Sequence, residues 1–200
     1  MDKDCVQQNH CGFSRELLDE HHMHYPAVQQ NKLKEIEARL IKADKKMANS
    51  NFCPLRSLEI ERTYAINSVK LHKYFFENIS QEVGAQPPTE ITGMFDRDFG
   101  SPQEWEKQFI ALAKCSRGWV VLGFDLEDGS LRNFFLDSNS EGVWTVLPLL
   151  VLDVYEHAYC ISFSSRNDYI SEFLRHVKWT EVSRRLKAAK NMYNIVNENI

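Results

Sequence analysis

Four side chains able to bind a metal stand on otherwise apolar faces of this chain: His21, His72, Asp153 and His157. Leu17, Leu18 and His21 share one side of a helical pattern. His72 follows Val69 by three residues and precedes Phe76 by four, which puts it on the apolar stripe of another helix. Asp153 closes an apolar run, and His157 comes four residues later. A carboxylate buried there is costly unless it is paired or bound to a cation. Three imidazoles and one carboxylate suit a first-row transition metal such as iron or manganese better than calcium or magnesium. Taken singly, each also has an ordinary explanation: His72 as a hydrogen-bonded core histidine, Asp153 as a cap or strand-end turn residue.

The elements that must position these groups follow from periodicity and turn residues. From Ser14 to Met47 the chain has no glycine and one proline, Pro26, and its leucines, valine and isoleucine recur at helical spacing, so a long helix is predicted, kinked or restarted at Pro26. Asn49 to Pro54 reads as a turn, and a second helix to about Ile79 carries the stripe Leu58, Ala65, Val69, His72 and Phe76. Pro87, Pro88 and Gly93 mark a linker, after which Ser101 and Pro102 open a helix through Cys115. Gly118 to Asp125, Leu131 to Leu136 and Val143 to Asp153 are β-branched, aromatic or aliphatic runs, separated by Asp128-Gly129 and by Ser138 to Gly142. They predict a three-stranded antiparallel sheet with a tight first hairpin. Asn167 to Leu174 and Trp179 to Val196 close the chain as helices. The expected fold is α+β, an N-terminal antiparallel helical hairpin followed by a three-stranded antiparallel sheet flanked by helices. The division expected is a flexible leader at 1–13, a helical hairpin domain at 14–86 and an α+β domain at 94–200.

Composition narrows the function classes. With 43% apolar and 26% charged residues the chain is an ordinary globule, and a net charge of -4 offers no electrostatic footprint for nucleic acid. The longest apolar run, Val143 to Leu152, is broken by Thr145 and Pro148 and is far short of the ~20 residues a membrane span needs. Neither nucleic acid nor membrane is therefore an expected partner. The first thirteen residues lack the character of a secretory or transit peptide, so a cytoplasmic location is expected. Five cysteines with no C-x-x-C pair fit reduced, mostly buried thiols.

The stretch LDVYEHAYC, Leu152 to Cys160, resembles the D-x-W-E-H-x-Y signature of iron/manganese superoxide dismutases. SRGWVVL at Ser116 to Leu122 resembles the glycine-tryptophan strand of that family, and FDRDFGSPQEWEKQF at Phe95 to Phe109 its F-G-S helix opening. RNDYISEFLRHVKWTEVSRRL is similar to its C-terminal helices, NSVKLHKYFFENI to its second-ligand helix and LLDEHHMHY to its first. The resemblance runs in family order from about Leu17 to Leu186.

What it implies is a superoxide dismutase converting superoxide to oxygen and hydrogen peroxide, as a homodimer with one iron or manganese ion per subunit. The implied ligands are His21, His72, Asp153 and His157, with His22 the rival for the first place. Glu156 matches the glutamate that crosses the dimer to orient the ligand histidine of the other subunit. Trp119 matches a pocket-lining aromatic, and Tyr155 replaces the signature tryptophan. The chain departs from the family where a gateway histidine and tyrosine are usual, with Tyr25 and Gln29 in those places. Ser68 and the region Ser138 to Ser140 occupy the two places from which a glutamine would bond the bound solvent. Tyr25 is thus expected at the substrate funnel, and Asn139 as the donor to that solvent. The alternative is a superoxide-dismutase fold kept as a metal-binding or structural module with little or no activity.

Overall fold

The computed structural model describes Phe13, residues 15–160 and residues 162–197, with side chains except at 15–27. Helix α1 (Arg15–Lys42) runs without interruption through Pro26. It is one helix rather than two because the fixed φ of proline is a helical value and the loss is a single backbone hydrogen bond. A short 3-10 turn, Lys45–Met47, follows, capped by the Asp44 carboxylate, which accepts from the Lys46 N–H at 2.9 Å. Cys53 then caps helix α2 (Pro54–Glu77), its Sγ accepting from the Arg56 N–H, and α1 packs along α2 as a hairpin.

The chain leaves the hairpin through residues 80–88 and enters helix α3 (Thr89–Phe99). Gly93, expected to mark the linker, lies inside this helix. Ile91, Met94 and Phe95 at helical spacing are buried, and that burial outweighs the roughly 1 kcal/mol that an interior glycine costs. Helix α4 (Pro102–Cys115) begins at Ser101, whose hydroxyl accepts from the Glu104 N–H at 3.1 Å. Phe95 and Trp105 stack at 4.2 Å and Trp179 meets Trp105 edge-on at 5.7 Å, an aromatic centre for this part of the core.

Strands β1 (Trp119–Asp125), β2 (Leu131–Leu136) and β3 (Val146–Asp153) form the predicted three-stranded antiparallel sheet, and its order is β2-β1-β3. The first hairpin has a five-residue connection, 126–130, rather than a tight turn. β3 begins later than its apolar run: Val143 and Trp144 are 53% and 93% exposed, and Thr145, at φ 63°, turns the chain into the strand. The central strand is buried from Trp119 to Phe124, as a strand covered on both faces must be. At Gly123 a side chain would run into Val146 and Phe134, which only glycine avoids. Between Leu122 and Gly123 the pairing with β3 shifts, because Leu122 faces Leu150 and Gly123 faces Pro148, leaving Leu149 as an extra residue.

Helices α5 (Arg166–Arg175) and α6 (Trp179–Asn197) complete the α+β fold. Among the described residues no helix is long and apolar enough to cross a membrane. Of the cysteines described, Cys53 is buried, Cys160 is partly covered and Cys115 is exposed, so burial is not the rule expected for them.

Candidate metal centre

Pairing at the end of the sheet builds the site. Trp119, the first residue of β1, stands opposite Asp153, the last of β3, and α2 crosses nearby to bring His72 against both. Asp153 Oδ2 lies 3.6 Å from His72 Nε2 and 3.2 Å from His157 Nε2. The three donor atoms all lie within 4.8 Å of one another.

Each donor is oriented by a second contact. His72 is 1% exposed, and its Nδ1 lies 2.7 Å from the Ser68 carbonyl oxygen one helical turn earlier. A carbonyl can only accept, so Nδ1 carries the hydrogen and Nε2 turns a lone pair toward Asp153. Asp153 is fully buried; its Oδ1 accepts from the Tyr155 N–H at 2.9 Å, and its main-chain oxygen accepts from the Tyr169 hydroxyl at 2.6 Å. His157 sits on a 3-10 turn, Glu156–Ala158, and stacks on Tyr155 at 5.4 Å and on His72 at 5.9 Å.

Trp119, with no exposed surface, walls the cluster and meets His72 edge-on at 4.9 Å. Its Nε1 donates to Asn139 Oδ1 at 2.5 Å, while the main-chain oxygen of Asn139 accepts from Asn67 Nδ2 at 2.7 Å. The Tyr155 hydroxyl lies beside Tyr64 and the Asn139 backbone, and burial pushes its pKa well above the ordinary phenol value. Tyr169 is raised in the same direction, first by burial and then by the Asp153 charge. Gly118 makes room for this wall, because a Cβ there would stand 2.8 Å from the Leu136 oxygen and 3.0 Å from the Tyr155 hydroxyl. Outside the cluster a cavity of about 440 Å³ is lined by Arg117, Tyr155, Glu156, His157, Tyr159 and Arg166.

The donor set fits a first-row ion. Nitrogen and oxygen ligands at ~2.0–2.2 Å from a common centre stand about 3 Å apart at right angles and about 3.6 Å apart at 120°. The separations of 3.2 and 3.6 Å lie in that range.

Residues 87–185 match the family model described as iron/manganese superoxide dismutases, C-terminal domain. Over 196 residues the chain is 30% identical to a protein of Aquifex pyrophilus named superoxide dismutase [Fe], covering 96% of this chain and 92% of that one. The chain belongs to the iron/manganese superoxide dismutase family. It is also 28% identical over 189 residues to a superoxide dismutase [Fe] of Cupriavidus metallidurans, covering 92% of this chain and 94% of that one. A superoxide dismutase [Mn] 2 of Haloferax volcanii is 34% identical over 125 residues, covering 62% and 63%.

Of the residues singled out from the sequence, the structure brings together His72, Asp153 and His157, with Trp119 and Tyr155 beside them and Asn139 behind Trp119. Glu156 is exposed next to His157. His21, its rival His22, and Tyr25 lie on α1, and their side chains are outside the described residues. Sequence reasoning missed Tyr64 and Asn67, the residues of α2 that meet Tyr155 and Asn139. A signal existed for Tyr64: together with Ser68 it precedes His72 by eight and four residues, so all three share one helical face.

Proposed function

We propose that this protein is a superoxide dismutase, taking two superoxide anions and two protons to oxygen and hydrogen peroxide at one iron or manganese ion. The observation that carries this reading is the convergence of His72, Asp153 and His157 at the sheet end, in a chain of this family. His21 is proposed as the fourth ligand, because it lies on α1, the helix packed along α2. When bound, the ion supplies a one-electron couple that accepts an electron from one superoxide and returns it to the next.

The residues of the chain supply orientation, exclusion of water and attraction. The Ser68 carbonyl fixes the tautomer of His72, and the Tyr155 amide fixes the rotamer of Asp153. Trp119 closes the inner side, leaving approach from the His157 side, where Arg117 and Arg166 line the cavity and favour an anion. Asn139 is proposed to present its Nδ2 to the pocket, since its Oδ1 is engaged by Trp119. Tyr25, one turn beyond His21 on α1, is proposed for the funnel. A homodimer in which Glu156 accepts from His157 of the other subunit is proposed because Glu156 is exposed while its neighbours are ordered around the cluster. A cytoplasmic location is proposed because the described cysteines, Cys53, Cys115 and Cys160, are free thiols, as a reducing compartment keeps them. The expected division is also kept as a proposal: a leader at 1–13, a helical hairpin at 14–86 and an α+β part at 94–200.

Bound metal and superoxide consumption, measured on one purified sample, test the reading. Near-stoichiometric iron or manganese together with turnover supports it, and a metal-loaded protein without turnover refutes the enzyme assignment.

A further inference from the structure

Asn78 and Arg185 lie outside the cluster and join the two elements that carry His72 and Asp153. Asn78 follows the last residue of α2, six residues after His72, and has no exposed surface. Its Nδ2 donates to the Leu149 oxygen at 3.2 Å, and its Oδ1 accepts from the Val151 N–H at 3.1 Å. Its main-chain N–H closes the helix on Tyr74 and Phe75, and its carbonyl accepts from the Lys178 N–H at 2.7 Å. Arg185, 6% exposed, donates from Nη1 to both Asn78 Oδ1 and the Leu149 oxygen at 3.0 Å, and lies over the Tyr74 ring at 4.4 Å. Glu77 and Glu181 balance its charge at 2.8 and 2.9 Å.

The segment of β3 gripped in this way is the bulge. Leu149 is the residue without a counterpart in β1, and Pro148 beside it has no N–H to offer a ladder. Because β3 is an edge strand, the Leu149 oxygen and the Val151 N–H would otherwise lack strand partners. The Asn78 amide serves them as a peptide of a neighbouring strand would, one donor and one acceptor astride Leu150. Asp153 lies two residues beyond Val151. Slippage of this strand by one residue would turn its side chain to the opposite face.

We infer that Asn78, braced by Arg185, is a positioning residue for the metal site: it docks the end of α2 onto the β3 bulge and so sets the spacing of His72 from Asp153. The inference rests on the metal-site reading given above. Asn78→Asp tests it closely, since the substitution keeps size and acceptor but sets a carboxylate oxygen against the Leu149 oxygen. Arg185→Lys keeps the charge and removes the planar fork whose Nη1 serves Asn78 and Leu149 while Nη2 and Nε hold Glu77 and Glu181.

The experiment uses full-length wild type and both variants, stripped of metal and shown to be folded by circular dichroism. Affinity for iron(II) and manganese(II) is measured by chelator competition, and the absorption spectrum of each oxidised, metal-loaded protein is recorded. The expected result for Asn78→Asp is affinity weaker by roughly 10–100-fold, with a displaced metal absorption band, and for Arg185→Lys a smaller change in the same direction. A purely structural role would lower the melting temperature of the metal-free protein while affinity and spectrum of the folded protein stayed at wild-type values, and that result overturns the inference. Should Asn78→Asp fail to fold, Arg185→Lys decides by the same two readouts. If the wild type binds neither ion, the metal-site reading falls and takes this inference with it; if wild type and variants bind alike, only the positioning role falls.

Discussion

His72 and His157 face the same oxygen of Asp153 from supports of different kinds. His72 rides a 24-residue helix, is almost sealed, and is pinned through Nδ1 to a carbonyl of its own helix. His157 rides a three-residue turn, its side chain 22% exposed, and is steadied by stacking on Tyr155 and by Asp153 itself. The inner histidine is therefore placed by the packing of α2 against the sheet. The outer one is placed by a local turn and by its stacking on Tyr155. Rigidity on the inner side and access on the outer side suit a site that must exclude bulk water yet admit a small anion.

The strongest break in this comparison removes what the two sides share. In Asp153→Asn the Oδ1 can still accept from the Tyr155 N–H, so the turn should survive while the carboxylate facing both imidazoles is lost. Metal affinity should fall by more than the roughly 10–100-fold commanded by outer partners, with the far-ultraviolet dichroism of the metal-free protein unchanged. Chelator competition and dichroism on the same sample check both halves of the statement.

Removing the histidines one at a time should separate the two supports. His72→Ala opens a hole in a sealed wall and should cost the metal-free protein roughly 2–4 kcal/mol in urea unfolding. His157→Ala should cost it about 0.5 kcal/mol or less, because the side chain is partly exposed and its turn is independent of the ring. Equal losses would mean that the turn is as much a part of the core as the helix. Both variants should lose metal.

Asn139→Ala comes next in size, since it leaves the Trp119 Nε1 buried without its acceptor. The expected cost is about 1–3 kcal/mol of stability, accompanied by a shift in tryptophan emission as the indole seeks a new partner. An unchanged emission spectrum with unchanged stability would show that Trp119 is held by packing alone.

The same contrast governs what the sequence made legible. His72, Asp153 and His157 could be found because each lies within a periodic or apolar pattern that a buried polar residue interrupts. The strands could be found because turn residues bound them. Helix α3 could not, because Gly93 and the prolines before it read as linker, while the amphipathic burial of Ile91, Met94 and Phe95 decided the matter in three dimensions. The β3 bulge and its clasp were hidden for a related reason. Asn78 and Arg185 are 107 residues apart, and an asparagine at a helix end reads equally well as an exposed cap. Tyr64 was readable only by placing it on the face of His72, since its partner Tyr155 lies in another element.

The smallest expected effect concerns acid, and it should reach the inner side of the site first. The Glu181 carboxyl is held below its ordinary value, chiefly by its hydrogen bonds to Arg184, with the Arg185 charge adding to this and burial opposing it. Arg184 donates to it at 2.6 and 2.8 Å, and Arg185 at 2.9 Å. A carboxyl depressed on folding binds fewer protons in the native than in the unfolded state, so its contribution is complete above the ordinary value of 4.5 and is lost as pH falls through the lower native value. Protonation there withdraws one of the two counter-charges of Arg185, the residue that braces Asn78 against β3, whereas nothing on the His157 turn touches Glu181 among the described contacts. Metal-free Glu181→Gln should therefore lose less stability than wild type between about pH 5 and about pH 3, by an amount within the ~0.2–1 kcal/mol of partly exposed ion pairs. Parallel urea titrations across that range, on metal-free proteins so that the Asp153 carboxylate contributes equally to both, give the two slopes. Identical slopes would show that the Arg184 and Arg185 contacts are matched in the unfolded chain, and that the brace on the inner side is insensitive to acid.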